Sequence, residues 1–67
     1  MSIKWKKDYG DGYETDDSVL WIDGNPTENI VSPCSGYFTA YVNGNGEYIS
    51  DTRTDAKNYV LDALGYR

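Results

Sequence analysis

Eleven carboxylates, seven tyrosines, one cysteine and no histidine are the side chains through which this chain can do chemistry. Cys34 has no imidazole to take its proton, so a Cys-His nucleophile is excluded and its default role is that of a small packing or loop residue. The same inventory excludes an internal disulfide and a tetrahedral Cys/His zinc site. Paired carboxylates work as acid and base only in a cleft that drives their pKa values apart, and 67 residues leave little room for one. The segment Asp8-Tyr9-Gly10-Asp11-Gly12-Tyr13-Glu14 is acidic enough for calcium but lacks the acid and glycine spacing of an EF-hand. A weak loop site using Asp8, Asp11 and Glu14, or Asp16 and Asp17, is the alternative to a plain turn. Asn43-Gly44-Asn45-Gly46 joins two strands instead of opening a helix, so it lacks the helix terminus of a phosphate loop. The inventory reads against an enzyme and against a resident metal or other cofactor.

The distribution of charge says more. Between Lys7 and Arg53 there is no basic residue, while Asp8, Asp11, Glu14, Asp16, Asp17, Asp23, Glu28, Glu47 and Asp51 fall in that span, interleaved with five tyrosines. With a net charge of −5, such a surface repels nucleic acid and anionic membranes and attracts basic proteins. Solvated acids that keep a small domain soluble are the simple reading. The absence of any base over so long a span points further, to mimicry of nucleic-acid charge. Carboxylates two residues apart on a strand stand about 6.7 Å apart, the order of neighbouring phosphates. The expectation is a non-enzymatic inhibitor that engages a basic, nucleic-acid-handling protein or nuclease complex. Its contacts would be Asp11, Glu14, Asp16, Asp17 and Asp23, with Tyr37, Tyr41 and Tyr48 as anchors, since tyrosine is enriched at interfaces. Base-stacking platforms sit in positive grooves, which this chain does not offer. Lys4, Lys6 and Lys7 balance nearby carboxylates.

The elements that must position these residues are legible in the pattern. Ile3 and Trp5 alternate with Lys4 and Lys6 as a half-buried strand does. Asp11-Gly12 marks a hairpin turn. Ser18-Val19-Leu20-Trp21-Ile22 is apolar on both parities and belongs inside the sheet. Asp23-Gly24-Asn25-Pro26 stops that strand, because Pro26 cannot donate to an interior ladder. Ile30-Val31 reads as a short edge strand at most, and Pro33, Ser35 and Gly36 as loop. Phe38, Ala40 and Val42 share one face and Tyr37, Thr39 and Tyr41 the other. Asn43 to Gly46 forms a four-residue turn, and Glu47-Tyr48-Ile49-Ser50 returns.

Asp51, Thr52 and Thr54 are candidate N-caps of a helix, and Asp55 suits its first turn. Ala56, Tyr59, Val60, Ala63 and Leu64 make one apolar stripe, and Gly65 ends the helix. The predicted fold is α+β: one domain, residues 1–67, with a three- or four-stranded antiparallel sheet and one C-terminal helix packed on one face. The strands run over about 2–9, 13–23, 37–42 and 47–50, and the helix over about 53–64. One helix covers one face only. The other, with Tyr37, Thr39, Tyr41 and Tyr48, stays open to a partner or to a second copy in a homodimer. No apolar run is long enough to span a bilayer, and Met1-Ser2-Ile3-Lys4-Trp5 has no signal-peptide character; the expected setting is the reducing cytoplasm of a host cell.

The segment Tyr37-Phe38-Thr39-Ala40-Tyr41-Val42, the turn Asn43-Gly44, the strand Tyr48-Ile49 and the helix opening Thr54-Asp55-Ala56-Lys57-Asn58-Tyr59 resemble the last hairpin and helix of the AP2/integrase-type DNA-binding domain. The resemblance covers residues 37–64. It implies a three-stranded sheet on a C-terminal helix and, in the family, major-groove reading by arginines and aromatics that project from the sheet. Here the corresponding positions are Tyr37, Thr39 and Tyr41, without arginine or lysine, which removes the charge that neutralises phosphate. The chain also looks like small phage-encoded proteins, which implies a host-takeover or anti-defence role such as inhibition of restriction or CRISPR nucleases. A DNA-binding module and a self-associating structural protein are the rival expectations.

Overall fold

A computed structural model describes residues 1–67. Five strands run in chain order: β1 (Ile3–Asp8), β2 (Glu14–Ile22), β3 (Asn25–Cys34), β4 (Tyr37–Val42) and β5 (Asn45–Ser50), followed by helix α1 (Arg53–Ala63). They form one antiparallel sheet whose spatial order is the chain order. The α+β class is as predicted, with five strands instead of three or four. The additional strand is β3, at the centre of the sheet.

Three two-residue turns make the meander possible. Asp23-Gly24, Ser35-Gly36 and Asn43-Gly44 each have positive φ at both central positions, the type I′ geometry whose twist matches that of the flanking strands. The turn after β4 is thus two residues long, with Val42 facing Asn45, and Asn45-Gly46 belongs to β5.

Pro26 and Pro33 lie within β3, against the expectation that Pro26 ends a strand and Pro33 sits in a loop. Each escapes the usual penalty for a local reason. The β2–β3 register shifts between Val19↔Ile30 and Trp21↔Pro26, so one residue of β2 faces three of β3. In that bulge the Thr27 hydroxyl donates to the Leu20 carbonyl at 2.6 Å, supplying a donor where the backbone ladder is interrupted. The buried Asn29 amide donates to Thr27 Oγ1 at 3.0 Å and its Oδ1 accepts from the Asn43 backbone N–H at 2.9 Å, which ties the β4–β5 turn to the bulge. Pro33 lies beyond the last β2–β3 pair, Ser18↔Val31, on a stretch paired with β4 alone.

The core lies between β2–β5 and α1. Leu20, Val31, Ala40, Val42, Ala56 and Val60 are buried there, with Trp5, Ile22, Phe38, Tyr48, Tyr59, Leu61 and Leu64 packed around them. The predicted stripe holds except at its end: Ala63 is exposed and Leu61 packs instead. Thr52 is the N-cap, and its Oγ1 accepts from the Asp55 N–H at 3.2 Å. At the other end Gly65 N–H donates to the Asp62 carbonyl and Tyr66 N–H to the Leu61 carbonyl, a Schellman motif that needs the positive φ of Gly65.

Candidate functional site: an acidic groove on the open sheet face

The face away from α1 is partly roofed. The β1–β2 loop folds back over it, held by Trp21, whose indole N–H donates to the Asp8 carbonyl at 3.1 Å. Gly10 presses on that ring so closely that a Cβ there would stand 3.0 Å from it, and Lys6 Nζ lies 4.0 Å above the same ring. Val19 is therefore 0% exposed although it points away from the helix. The loop brings Tyr9 across to β2, where its hydroxyl donates to Asp17 Oδ2 at 2.6 Å. Ser32 on β3 donates to the other oxygen, Oδ1, at 2.7 Å. The bond to Asp17, assisted by desolvation and by the negative charge, pushes the Tyr9 phenol up to about 12; a donor bonded to a carboxylate gives up its proton late.

Beside this trio runs a groove of about 330 Å³. Tyr9, Asp17, Glu28, Ile30, Ser32, Tyr41 and Gly44 line it. Ile30 pairs with Tyr41, Ser32 is bonded to Asp17, and Glu28, four residues back along β3, is bonded to Gly44 through its carbonyl. Glu28, Ile30 and Ser32 follow at every second residue of β3, so they share this face. A wider hollow of about 410 Å³ lies under the loop, but Lys7 sits with Asp8 and Glu14 in its wall, so it presents no single sign.

Four of the six cations are held elsewhere, Lys6 over Trp21 as described. Arg53 lies 4.8 Å from the Phe38 ring and donates to the Asp16 carbonyl at 2.9 Å and to Ser18 Oγ at 2.8 Å. Lys57 stands 5.4 Å over Trp5; desolvation, then repulsion from Arg53 and Lys7, lowers its pKa. The single ion pair of the molecule is Arg67–Asp62, 3.2 Å long and exposed. None of the nine carboxylates between Lys7 and Arg53 has a cation partner.

The predicted contact residues do not form one patch. Asp11, Glu14, Asp16 and Asp17 gather at the loop end of the sheet, with Asp16 and Asp17 on opposite faces because neighbours on a strand alternate. Asp11 accepts from the Tyr13 N–H at 3.1 Å in its own turn. Asp23 lies at the far end of β2, about 20 Å away by strand rise, where it binds the Ser2 backbone N–H at 2.8 Å. Tyr37 is 52% exposed at the start of β4, and Tyr41 lines the groove. Tyr48 is not on the open face: it pairs with Ala40, stacks on Tyr59 at 4.6 Å and donates to Asp55 at 2.7 Å. The register shift between Ala40 and Tyr41 breaks the simple alternation across the β4–β5 pair. Tyr9, Glu28, Ile30 and Ser32 join the site without having been singled out. Residues 28–32, Glu-Asn-Ile-Val-Ser, carry no simple alternation of apolar and polar and are bracketed by two prolines, so nothing in the pattern marked them.

No three carboxylates or thiols converge on a point that could hold a metal ion. No helix is long and apolar enough to cross a membrane. Comparison with protein-family models, curated proteins and solved structures found no match.

Proposed function

We propose that this protein is a small acidic binding protein, without catalytic activity, that engages a basic nucleic-acid-handling protein by presenting nucleic-acid-like charge. The observation that carries this reading is the unpaired state of the nine central carboxylates. Of the six cations, Lys6, Arg53 and Lys57 lie over aromatic rings and Arg67 pairs with Asp62 outside this span, which leaves Lys4 and Lys7 against nine carboxylates. The negative field therefore reaches solvent, where it steers a basic partner and makes association salt-sensitive. Glu14 and Asp16, one residue apart on the same side of β2, give the phosphate-like spacing, with Lys7 the one cation against them and Asp11 in the adjoining loop. A host-takeover or anti-defence protein, such as an inhibitor of a restriction or CRISPR nuclease, suits the size and the one-sign surface.

The test is affinity capture from bacterial lysate at two salt concentrations. The expected result is one nucleic-acid-binding protein retained at low salt and released at high salt. The double reversal Glu14→Lys/Asp16→Lys should abolish capture without altering the circular dichroism spectrum. Capture that survives the reversal overturns mimicry through this edge. Direct binding of the protein to labelled duplex at low salt would favour the DNA-binding module instead.

A further inference from the structure

The groove differs from the acidic edge in being shaped as well as charged. Its lining joins the carboxylates of Asp17 and Glu28 with two tyrosines, Tyr9 and Tyr41, and the apolar Ile30. Ser32, which is bonded to Asp17, stands four residues along β3 from Glu28. No lysine or arginine of the chain lines it. Asp17 is fixed by two hydroxyl donors, 2.6 and 2.7 Å away. Glu28 reaches this face by the same alternation along β3 that places Ile30 and Ser32 here. Its Oε2 lies over Gly44, 3.2 Å from where a Cβ would stand; any larger residue in that turn would push the carboxylate aside.

We infer that this groove seats an arginine side chain of the basic partner. The inference rests on the reading above for the source of that arginine and specifies where on this protein it docks. A flat guanidinium stacks on tyrosine faces and forks onto carboxylates, whereas a lysine ammonium is a compact, strongly hydrated point charge that does neither. The methylene stem of an arginine covers Ile30 while its head reaches a carboxylate. The existing Tyr9 and Ser32 bonds leave Asp17 with spare acceptor capacity, since each carboxylate oxygen has two lone pairs.

The experiment is a titration of isotope-labelled protein with N-acetyl-arginine amide, and separately with N-acetyl-lysine amide, followed by amide chemical shifts at low salt. Saturable shifts at Ile30, Ser32 and Gly44 are expected, with the arginine probe about fivefold tighter than the lysine probe. Glu28→Gln, which keeps the shape, should weaken the arginine probe about fivefold, and Tyr41→Ala should weaken it as well; Glu14→Lys should not. Shifts that fail to saturate, that spread evenly over all acids, that do not distinguish the two probes, or that are indifferent to Glu28→Gln each overturn the assignment. The two proposals fail separately. If lysate capture is salt-sensitive but unchanged in Glu28→Gln and Tyr41→Ala, the groove is wrong and the acidic surface stands. If the arginine probe saturates the groove but no salt-sensitive partner is captured, the basic-partner reading is wrong and the groove stands.

Discussion

Two aspartates in this protein have nearly the same surroundings and different consequences. Asp55 accepts from Tyr48 Oη and Ser50 Oγ, each at 2.7 Å. Asp17 accepts from Tyr9 Oη at 2.6 Å and Ser32 Oγ at 2.7 Å. Around Asp55 the partners are close in sequence, and the trio sits where β5 becomes α1. Ser50 Oγ also accepts from the Thr52 N–H at 3.2 Å. A capping box is thereby completed through an inserted serine: Thr52 N–H to Ser50, Ser50 to Asp55, Asp55 N–H back to Thr52. Around Asp17 the partners come from a loop and a neighbouring strand, and the trio lies on the face without a helix. The same chemistry fastens a helix to the sheet in one place and builds one end of a groove in the other.

The contrast can be broken first at the apolar layers beneath the two faces. Leu20→Ala removes a fully buried side chain under α1 and should cost about 3 kcal/mol. That is most of what a domain this small has to spare, so the variant should begin to unfold at the lowest urea concentrations. Ile30→Ala, on the half-exposed groove surface, should cost about 1 kcal/mol and leave a cooperative urea transition. Equal losses would show that the groove is core and not surface.

Next in size is the cap. Thr52→Ala should lower stability by about 1 kcal/mol in urea denaturation and leave the arginine titration unchanged. Asp17→Asn should do the reverse. It should barely move the urea midpoint, weaken the arginine probe, and bring the Tyr9 phenol down from about 12 toward its ordinary value, as read by ultraviolet or ring-proton titration. A Tyr9 pKa that stays near 12 in Asp17→Asn would show that burial, and not Asp17, sets it.

The smallest effects are in pH dependence. Asp55 is lowered below its ordinary 3.8, chiefly by the Ser50 and then the Tyr48 hydrogen bonds. Its contribution is therefore present above the unfolded pKa and lost as pH falls through the folded one. Tyr9 is raised, so its contribution is present below pH 10 and lost as pH rises toward 12. Tyr48 and Tyr59 are raised too, Tyr48 mainly by its bond to Asp55 and Tyr59 mainly by desolvation, so the alkaline limb is shared. In melting temperature against pH, Asp55→Asn should flatten the acid limb and also the part of the alkaline limb that Tyr48 supplies, whereas Tyr9→Phe should flatten only part of the alkaline limb.

How far all this could be read from the sequence depended on whether a signal was local. The helix was legible because its cap, its stripe and its terminal glycine lie within fourteen residues, Thr52 to Gly65, and the strand pattern of Phe38, Ala40 and Val42 for the same reason. β3 was not legible. Its prolines are permitted by things in other strands: the Leu20 carbonyl that Thr27 reaches, and a β2 that stops pairing before Pro33. The acidic character of the site needed only counting. The groove needed Tyr9 to be folded onto Asp17, which no periodicity announces, and Tyr48 was misplaced because a register shift moved it across the sheet.

The strand order has a consequence for how the molecule comes into being. Every strand pairs with its neighbour in the chain, so no ladder waits for a distant segment to arrive. Each type I′ turn closes a very short loop, which costs little chain entropy, and each finished hairpin is a template for the next. Folding should therefore run toward the fast end of the range for β-rich domains, with the helix docking onto a ribbon already largely zipped.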